Sequence, residues 1–349
     1  MNARRASTLL ALAVAWSATS VASSQDSKLK VGDQAPAISV AEWIQGDVTG
    51  LENGKVNLVE FWATWCGPCK KSIPHLNRLY SDHAAKGLVI IGISDEKPEV
   101  VTPFVKQRGS AMSYPVGVDS NEQTKQAWSK AAGQEGIPHA FLVSRDGKIV
   151  WIGHPMDDEL ERILPKALAG KYDPILEKRA KPLLEAAERA ARQRNYREAY
   201  GHLDKVIDMD PRIFSGVVLE RYELMLTGEK NQQAAHDYLA AKVQSYSTDP
   251  ATLAEIATAL VNDPALTPRD LPLASEAADL MMTSGPDRPE SLAVLAMVQF
   301  ADGKVDDAVE NQQQAWMLAA PNEKATYRRV LDNYRGAAGR RAGTVSPAP

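Results

Sequence analysis

The sequence is poor in cysteine: its 349 residues include two, Cys66 and Cys69. Two cysteines cannot supply the several disulfides that hold a small secreted scaffold together, and two thiols alone do not complete a four-ligand structural zinc site. A chain of this length has room for about two domains, each with its own hydrophobic core. We therefore expect the cysteines to act as a local pair, and the sequence predicts no metal and no cofactor.

The chain also lacks an excess of charge of either sign. It contains 40 Lys and Arg residues against 44 Asp and Glu residues, a formal net charge of −4. Proteins that bind nucleic acids usually present a concentrated basic surface, and no dense basic run occurs beyond the N-terminal end. We therefore exclude nucleic-acid binding. The contents of 44% hydrophobic and 24% charged residues are typical of a soluble globular protein.

Long hydrophobic runs are missing as well. One apolar stretch near the N-terminus, Leu9 to Trp16, follows Arg4 and Arg5 and precedes a run of small residues in which the segment 20–22 resembles a cleavage site. This stretch is shorter than the ~20 residues that span a bilayer. We therefore predict that residues 1–24 are a signal peptide, that no stable membrane anchor exists, and that the protein is exported to a bacterial periplasm or secreted. An uncleaved anchor is the alternative.

Two halves with different residue patterns follow. Residues 28–171 alternate short runs rich in Val and Ile with longer amphipathic stretches, which predicts an α/β domain with a mixed central sheet flanked by helices. Residues 175–335 contain no strand pattern and are rich in helix formers at helical spacing, which predicts an all-α domain. The segment 171–174, Lys-Tyr-Asp-Pro, is predicted to link them. Residues 336–349 lack apolar periodicity and are predicted to be a mobile tail.

Within the α/β half the pattern predicts a succession of strands and helices. The predicted strands are Val56–Trp62, Leu88–Ser94, Tyr114–Val118, Ala140–Ser144 and Lys148–Ile152. The predicted helices are Pro68–Lys86, Glu99–Arg108, Asn121–Ala132 and Asp157–Leu168. The last two strands are joined by a turn containing an Asp-Gly pair, which is typical of a hairpin.

The two cysteines form a Cys-x-x-Cys motif between a predicted strand and a predicted helix. A thiol in the first turn of a helix faces unpaired backbone N–H groups and the positive end of the helix dipole, so its thiolate is stabilised. We therefore predict that Cys66 attacks and that Cys69, one turn further on, resolves. Pro68 suits the first turn because proline lacks the N–H that is unpaired there. A structural disulfide and half of a metal site are the alternatives.

The residues from Phe61 to Cys69, together with Gly136 to Pro138, resemble the thioredoxin superfamily. The similarity is to its exported TlpA/ResA-like redoxin branch, whose opening element is matched by the segment 32–36 and whose closing strands are matched by segments 138–143 and 146–150. The resemblance implies a thioredoxin fold, thiol–disulfide exchange with protein disulfide or dithiol substrates, and a cis peptide bond before Pro138.

The resemblance also implies a substrate groove beside the motif. Trp65 is expected to be a partly exposed shield at this groove, with Gly67 and Pro68 as further substrate-binding residues. Ile137 and Pro138 are expected to offer backbone groups to an extended substrate strand, as in β-augmentation.

Glu60 is the third candidate catalytic residue. It lies in a predicted central strand, where a buried carboxylate without a partner is costly. The resemblance places it where thioredoxins carry a buried acid that takes the proton of the resolving thiol. Many members of the branch have a glutamate three residues after the second cysteine, whereas this chain has Ser72, so Glu60 is left to assist Cys69. The alternative is a carboxylate that reaches water at the end of the strand.

Two other chemistries were considered for the same segment. His75 and His139 suggest a copper-handling redoxin, but those proteins place one more residue between their thiols. A peroxidase needs a Pro-x-x-x-Thr/Ser-x-x-Cys setting, which the residues before Cys66 do not supply. We therefore favour neither.

The helical half resembles tetratricopeptide (TPR) repeats, which have a period of ~34 residues. One repeat register is matched by Ala187, Tyr196, Ala199, Leu203, Val206 and Pro211. A second copy is matched by Leu295, Ala296, Gly303, Ala308, Ala315 and Pro321. Segments 219–246 and 253–283 are predicted to be degenerate repeats between them. A generic array of helical hairpins is the alternative, and the array is expected to bind a protein partner or to act as a spacer.

Together these features predict an exported thiol–disulfide oxidoreductase with a helical-repeat arm. We expect it to act as a reductase, because Cys-Gly-Pro-Cys resembles reducing thioredoxins, and to require an electron donor. The alternative is a repeat-based binding scaffold whose redoxin half has little activity.

Overall fold

The computed structural model describes residues 28–119, 121–284 and 288–344. The predicted signal peptide, residues 1–24, lies outside them, as do residues 345–349. Within the described part of the chain, six strands form one sheet. These strands are β1 (Val40–Gln45), β2 (Val56–Phe61), β3 (Leu88–Ser94), β4 (Val116–Asp119), β5 (His139–Val143) and β6 (Ile149–Gly153).

The sheet is mixed, with the strand order β1-β4-β3-β2-β5-β6. Strands β2, β3 and β4 are parallel, whereas β1 runs antiparallel to β4, β5 to β2, and β6 to β5. The carboxyl ends of the parallel strands β2 and β3 therefore meet at one edge of the sheet. This mixed sheet with helices on both faces is the thioredoxin fold that the resemblance implies.

Four helices of this half cover the sheet. They are α1 (Gly67–His83), α2 (Pro98–Arg108), α3 (Gln123–Lys125) and α4 (Asp158–Leu168). One face packs against α1, α2 and α4 through a core that includes Leu58, Trp62 and Cys69. The other face, which includes Val59 and Phe61, packs against residues at and beyond α3 and against the N-terminal segment. Because side chains alternate along β2, Glu60 lies on the same face as Leu58 and Trp62.

The predicted strands all occur, with ends shifted by one or two residues, but β1 was not predicted. This short strand pairs with β4 through an irregular register, and its burial shows no clean alternation. The helix predicted at Asn121–Ala132 is also corrected. Asn121 and Glu122 have positive φ angles, and the buried carboxylate of Asp119 accepts hydrogen bonds from the N–H groups of Thr124 and Lys125. The regular helix α3 therefore begins at Gln123 and continues into a π-helical turn at 126–130.

The second half is all-helical. Its helices are α5 (Pro174–Arg192), α6 (Tyr196–Ile207), α7 (Ser215–Glu223), α8 (Gln232–Ser245), α9 (Pro250–Asn262), α10 (Leu271–Thr283), α11 (Pro289–Ala301), α12 (Val305–Leu318) and α13 (Lys324–Thr344). Consecutive helices pack as the hairpins α5/α6, α7/α8, α9/α10 and α11/α12, and α13 packs against α12. Ala187, Ala199, Ala296 and Ala308, which occupy the small positions of the two repeat registers, are all buried.

Helix α13 continues to Thr344, beyond the point at which the sequence predicted a mobile tail. No helix in the described part of the chain combines the length and the apolar character needed to cross a bilayer.

The helical half contacts both the sheet domain and the linker that precedes α5. The ammonium group of Lys86, just after α1, lies 2.7 Å from the carboxylate of Glu323 beside α13. Lys171 donates hydrogen bonds to Glu255 in α9 and to Ser215 in α7. Tyr172 packs against the core of the sheet domain, so that core extends into the linker.

Candidate active site

Cys66 and Cys69 form a disulfide at the N-terminus of α1. Cys66 is the N-cap residue, and its Sγ accepts a hydrogen bond of 3.1 Å from the backbone N–H of Cys69. Pro68 lies in the first turn, where its missing N–H leaves no donor unpaired. The N–H of Cys69 therefore points at the sulfur of Cys66 at the N-terminus of the helix, which is the arrangement that stabilises a thiolate.

The loop before β5 lies directly against this sulfur. The peptide bond between Ile137 and Pro138 is cis, as the resemblance implies. The carbonyl oxygen of Ile137 is 3.7 Å from Sγ of Cys66. A substrate group bound at Cys66 would thus lie beside Ile137 and Pro138, the two residues of this loop that are predicted to bind substrate.

Exposure differs sharply among the residues around the disulfide. Cys66 is only 3% exposed and Cys69 is fully buried, whereas Trp65 is 71% exposed. A cavity of about 290 Å³ beside the disulfide is lined by residues that include Trp65, Gly136 and Ile137. The exposed indole of Trp65 therefore shares this cavity with Ile137, the residue whose carbonyl oxygen lies against Sγ of Cys66.

Glu60 is completely buried in the middle of the sheet. Its neighbours on the adjacent strands are Gly92 and Ala140, which leave space for a carboxylate. Tyr114 donates a hydrogen bond of 2.5 Å to Oε1 of Glu60. Burial raises the pKa of Glu60 to about 7, and the hydrogen bond from Tyr114 opposes this rise. The interpretation of Glu60 as a solvated carboxylate at a strand end does not fit this burial.

Within the described part of the chain, neither the second oxygen of Glu60 nor the indole N–H of Trp62 has a hydrogen-bond partner. Both groups lie around Gly92: a Cβ atom at that position would be 3.0 Å from Nε1 of Trp62 and 3.3 Å from Oε1 of Glu60. A side chain at position 92 would therefore crowd the acid and the indole, which lie on the face of the sheet that packs against Cys69 of α1.

Sequence reasoning missed Glu96, which holds the loop before the motif. Its carboxylate accepts hydrogen bonds of 2.5 Å from the N–H and 2.7 Å from the hydroxyl of Thr64, and a weaker one from Ser94. Glu96 follows β3 and Thr64 follows β2, two parallel neighbours whose carboxyl ends meet. That adjacency is the signal from which the contact could have been predicted.

His139, which follows Pro138, holds the cis-proline loop in a similar way. Its Nδ1 lies 2.6 Å from the carbonyl oxygen of Gly136, so Nδ1 carries the proton and donates it. Its Nε2 therefore accepts a hydrogen bond of 2.9 Å from the hydroxyl of Ser129. Burial lowers the pKa of His139, although the bond to Gly136 opposes this effect. A neutral imidazole thus ties the cis-proline loop to the helical segment that follows α3.

The histidines considered for copper are not placed to share a metal. Both ring nitrogens of His139 are occupied by hydrogen bonds, while His75 lies beside Arg78 and Glu161 on α1 and α4. Among residues 28–119, 121–284 and 288–344, no three Cys, His, Asp or Glu side chains come together as a metal-binding group.

A redox-active disulfide of this geometry exchanges with other thiols and disulfides, and the protein is a thiol–disulfide oxidoreductase. The model of the AhpC/TSA family matches residues 31–152. The chain is 35% identical over 147 residues to the thiol-disulfide oxidoreductase ResA of Bacillus thuringiensis, covering 40% of this chain and 79% of that protein. It belongs to the ResA family of thiol-disulfide oxidoreductases.

Two further proteins are similar to part of this chain. The chain is 29% identical over 156 residues to the protein FixW of Rhizobium leguminosarum, covering 42% of this chain and 69% of that protein. Among solved structures, a thiol:disulfide interchange protein of the thioredoxin family from Chlorobium tepidum is 27% identical with a TM-score of 0.34, covering 39% of this chain and 95% of that one. The residues that the family model matches lie in the redoxin half.

Proposed function

We propose that this protein reduces disulfides of protein substrates in an exported compartment, with Cys66 as nucleophile and Cys69 as resolving thiol. The observation that carries the proposal is the position of Cys66 at the N-cap of α1, where its sulfur already accepts the N–H of Cys69. The same contact would stabilise a thiolate in the reduced protein.

The exchange proceeds in two displacements. The Cys66 thiolate attacks one sulfur of the substrate disulfide, that bond breaks, and the departing substrate sulfur takes up a proton. The Cys69 thiolate then attacks Sγ of Cys66, and the second substrate sulfur leaves. Two electrons thus pass from the dithiol to the substrate, and the Cys66–Cys69 disulfide seen in the structure is the product.

We assign Glu60 the role of proton acceptor for the Cys69 thiol. A base with a pKa of about 7 is half ionised at neutral pH, which suits it both to accept and to return a proton. The assignment is supported by the burial of both groups on the same face of the sheet, where Cys69 of α1 packs against Leu58 and Trp62 of the strand region that carries Glu60.

The direction of electron flow rests on the Cys-Gly-Pro-Cys tetrapeptide, which resembles reducing thioredoxins with potentials near roughly −270 mV. A reductase outside the cytoplasm needs a donor, so the cycle requires a second dithiol protein that reduces Cys66–Cys69. The signal-like residues 1–24 support export to a periplasm or secretion.

The helical half is assigned as a TPR-like arm that binds a protein. Its packing in hairpins with buried alanines at the register positions supports this assignment. Stacked hairpins leave a concave surface of the kind that binds peptides.

Reduction of insulin by dithiothreitol tests the proposal. The wild-type protein should accelerate precipitation of the B chain, and Cys66→Ser should abolish the acceleration. Cys69→Ser should accumulate a mixed disulfide with insulin, because the first displacement remains and the second is lost. A wild-type protein no faster than Cys66→Ser would favour the alternative of a binding scaffold with an inactive redoxin half. The equilibrium potential against glutathione would establish the direction.

A further inference from the structure

The loop that precedes β5, residues 135–138, depends on one side chain for its position. It lies outside regular secondary structure, and a Cβ atom at Gly136 would meet nothing within 4 Å. Besides the contact between Ile137 and Cys66, the backbone of this loop has, among the described residues, one hydrogen bond. The Nδ1–H of His139 donates it to the carbonyl oxygen of Gly136 over 2.6 Å. The imidazole is therefore the main anchor of the loop.

The imidazole of His139 is itself fixed from three sides. Its ring stacks on Phe61, the last residue of β2, with ring centroids 5.0 Å apart, and meets the edge of Phe141 at 5.7 Å. Its Nε2 accepts a hydrogen bond of 2.9 Å from the hydroxyl of Ser129 in the π-helical turn. A ring held by two aromatic contacts and two hydrogen bonds cannot turn away from Gly136 without losing both bonds. The loop is thereby tied to the end of β2, from which the chain leads to Cys66.

The charged groups around His139 leave it without a counter-charge. Asp95, Asp119, Lys125 and Glu135 line the same cavity. Asp95 lies 2.5 Å from Lys125, and Asp119 accepts two backbone N–H groups. Both ring nitrogens of His139 are taken by neutral partners, so no carboxylate contacts the imidazole. Burial lowers the pKa of His139, and the imidazole is therefore neutral at neutral pH.

We propose that His139 is a positioning residue that makes the site selective for disulfides carried on extended polypeptide strands. By holding the carbonyl of Gly136, it keeps the backbone of Ile137 in place beside Cys66, where a substrate strand can pair with it. A small disulfide needs only the sulfur and does not use this backbone. In acid, a second ring proton on Nε2 removes the acceptor of the Ser129 hydroxyl and leaves a buried cation, so the loop loosens. The inference rests on the proposed reductase function.

Two substrates with the same leaving group test this selectivity. One is the acetylated heptapeptide amide Ser-Val-Thr-Cys-Thr-Val-Ser, the other is N-acetylcysteine amide, and each carries thionitrobenzoate on its cysteine. The Cys66 thiolate of the reduced full-length protein attacks the cysteine sulfur, the S–S bond breaks, and thionitrobenzoate leaves with the electron pair. The ratio of the two second-order rate constants, the peptide preference, removes the reactivity of the thiolate from the comparison.

The wild type should show a peptide preference of about tenfold, as expected for one or two backbone hydrogen bonds to a substrate strand. A peptide that is N-methylated at both residues flanking its cysteine cannot pair as a strand and should react like the amino acid. Equal rates for the peptide and the amino acid, in a protein that reduces insulin, would reject the selectivity and retain the reductase. Failure to react with either substrate or with insulin would contradict the reductase, and the proposal would fall with it.

Two variants of His139 separate positioning from packing. His139→Phe keeps a ring that can stack on Phe61 but removes both hydrogen bonds, so the peptide preference should fall to about twofold while the amino-acid rate stays within about twofold of the wild type. His139→Asn keeps an N–H that can donate to Gly136 and should retain most of the preference. His236→Phe, the same change in α8, is the matched control and should not alter the preference. Equal slowing of both substrates by His139→Phe, or an unchanged preference, would overturn the proposal.

The pH dependence of the peptide preference is a readout that a purely structural role would not change. In the wild type the preference should decrease as the pH is lowered from about 8 to about 4.5, because Nε2 of His139 then takes up a proton. In His139→Asn it should stay constant. A decrease that persists in His139→Asn would assign the effect to the carboxyl groups of the cavity and contradict the role of His139. Ser129→Ala removes only the Nε2 partner and should lower the preference about threefold at pH 8, so it tests the proposal even if His139→Phe does not fold. A Ser129→Ala protein with the wild-type preference at every pH would contradict it.

Discussion

Glu60 occupies a place in the sheet that only small neighbours allow. Gly92 and Ala140 flank it on the two adjacent strands, and Tyr114 is its single described hydrogen-bond donor. The consequence is a carboxyl group that is neutral over much of the pH range in which ordinary carboxylates are charged, because burial raises its pKa to about 7.

This pKa predicts how stability depends on pH. The folded protein holds the Glu60 proton more tightly than the unfolded chain, where the pKa is about 4.3. The contribution of Glu60 to the free energy of unfolding is therefore greatest at low pH and decreases as the pH rises from about 4 to above 7. Between pH 4 and 8, the unfolding free energy of the wild type should fall relative to Glu60→Gln by on the order of 3 kcal/mol. Urea titrations of the oxidised proteins measure this, with the exposed Glu42→Gln as control.

Glu60 should also act on one step of the exchange. Glu60→Gln removes the proton acceptor but leaves Cys66 at its helix terminus, so the second displacement should slow more than the first. Acid quenching and mass spectrometry would show a mixed disulfide that persists longer than in the wild type. Equal slowing of both displacements would show that Glu60 supports the sheet rather than Cys69.

Cys66 should be the first cysteine alkylated in the reduced protein. It is the N-cap residue and its sulfur accepts the N–H of Cys69, whereas the Cys69 side chain is fully buried. Iodoacetamide at limiting concentration, followed by peptide mapping, measures the order. Faster labelling of Cys69 would contradict the assignment of the nucleophile. Because Cys66 is itself only slightly exposed in the disulfide form, the difference should come from the thiolate population more than from access.

The sequence reveals those site residues whose role depends on local position along the chain. The cysteines and Pro68 lie in one motif, and the strand around Glu60 is a continuous apolar run, so a carboxylate within it stands out. Tyr114, Glu96 and Ser129 were not found because their partners are 54, 32 and 10 residues away, and such contacts depend on how strands and helices are arranged in space.

At the scale of secondary-structure elements, the active site depends on two loops at the carboxyl edge of the sheet. The loop after β2 carries Thr64 and leads into Cys66, and the loop after β3 carries Glu96. The two hydrogen bonds from Thr64 to Glu96 join them, so the carboxylate holds the backbone from which α1 begins.

Elements with long regular patterns, such as β3 and α4, were predicted well. The strand β1 and the start of α3 depend on pairing with β4 and on the carboxylate of Asp119, which no local pattern shows.

This link predicts different effects for two substitutions at Glu96. Glu96→Ala removes both hydrogen bonds to Thr64, so insulin reduction should lose about tenfold in kcat/KM as the loop loses its position. Glu96→Gln keeps an acceptor for the Thr64 N–H and a partner for its hydroxyl, and should remain within about threefold of the wild type. Glu99→Ala, at an exposed position of α2, is the control. The alkylation rate of Cys66 should follow the same order. A Glu96→Ala protein as active as the wild type would show that the loop is held by other contacts.

At the scale of the whole molecule, the two halves have separate cores but share a boundary. The sheet domain buries its core among its own elements, and Tyr172 is the last residue that packs against it. Ile175 of α5 lies over Gly32, and Lys86 pairs with Glu323 across the junction. An exposed ion pair of this kind contributes about 0.2–1 kcal/mol, so this pair and the hydrogen bonds of Lys171 to Ser215 and Glu255 are few compared with the contacts within either core.

A fragment of residues 28–173 should therefore fold alone and reduce a small disulfide at close to the full-length rate. It contains Glu60, Cys66, Cys69 and the cis-proline loop, and it retains Tyr172. Loss of the contacts at Gly32 and Lys86 should lower its free energy of unfolding by on the order of 1–2 kcal/mol, measured in urea. On a large protein substrate its rate should fall further below that of the full chain, because a second contact raises effective concentration only when the arm is present. An insoluble fragment, or one that is inactive on a small disulfide, would show that the helices complete the redoxin core.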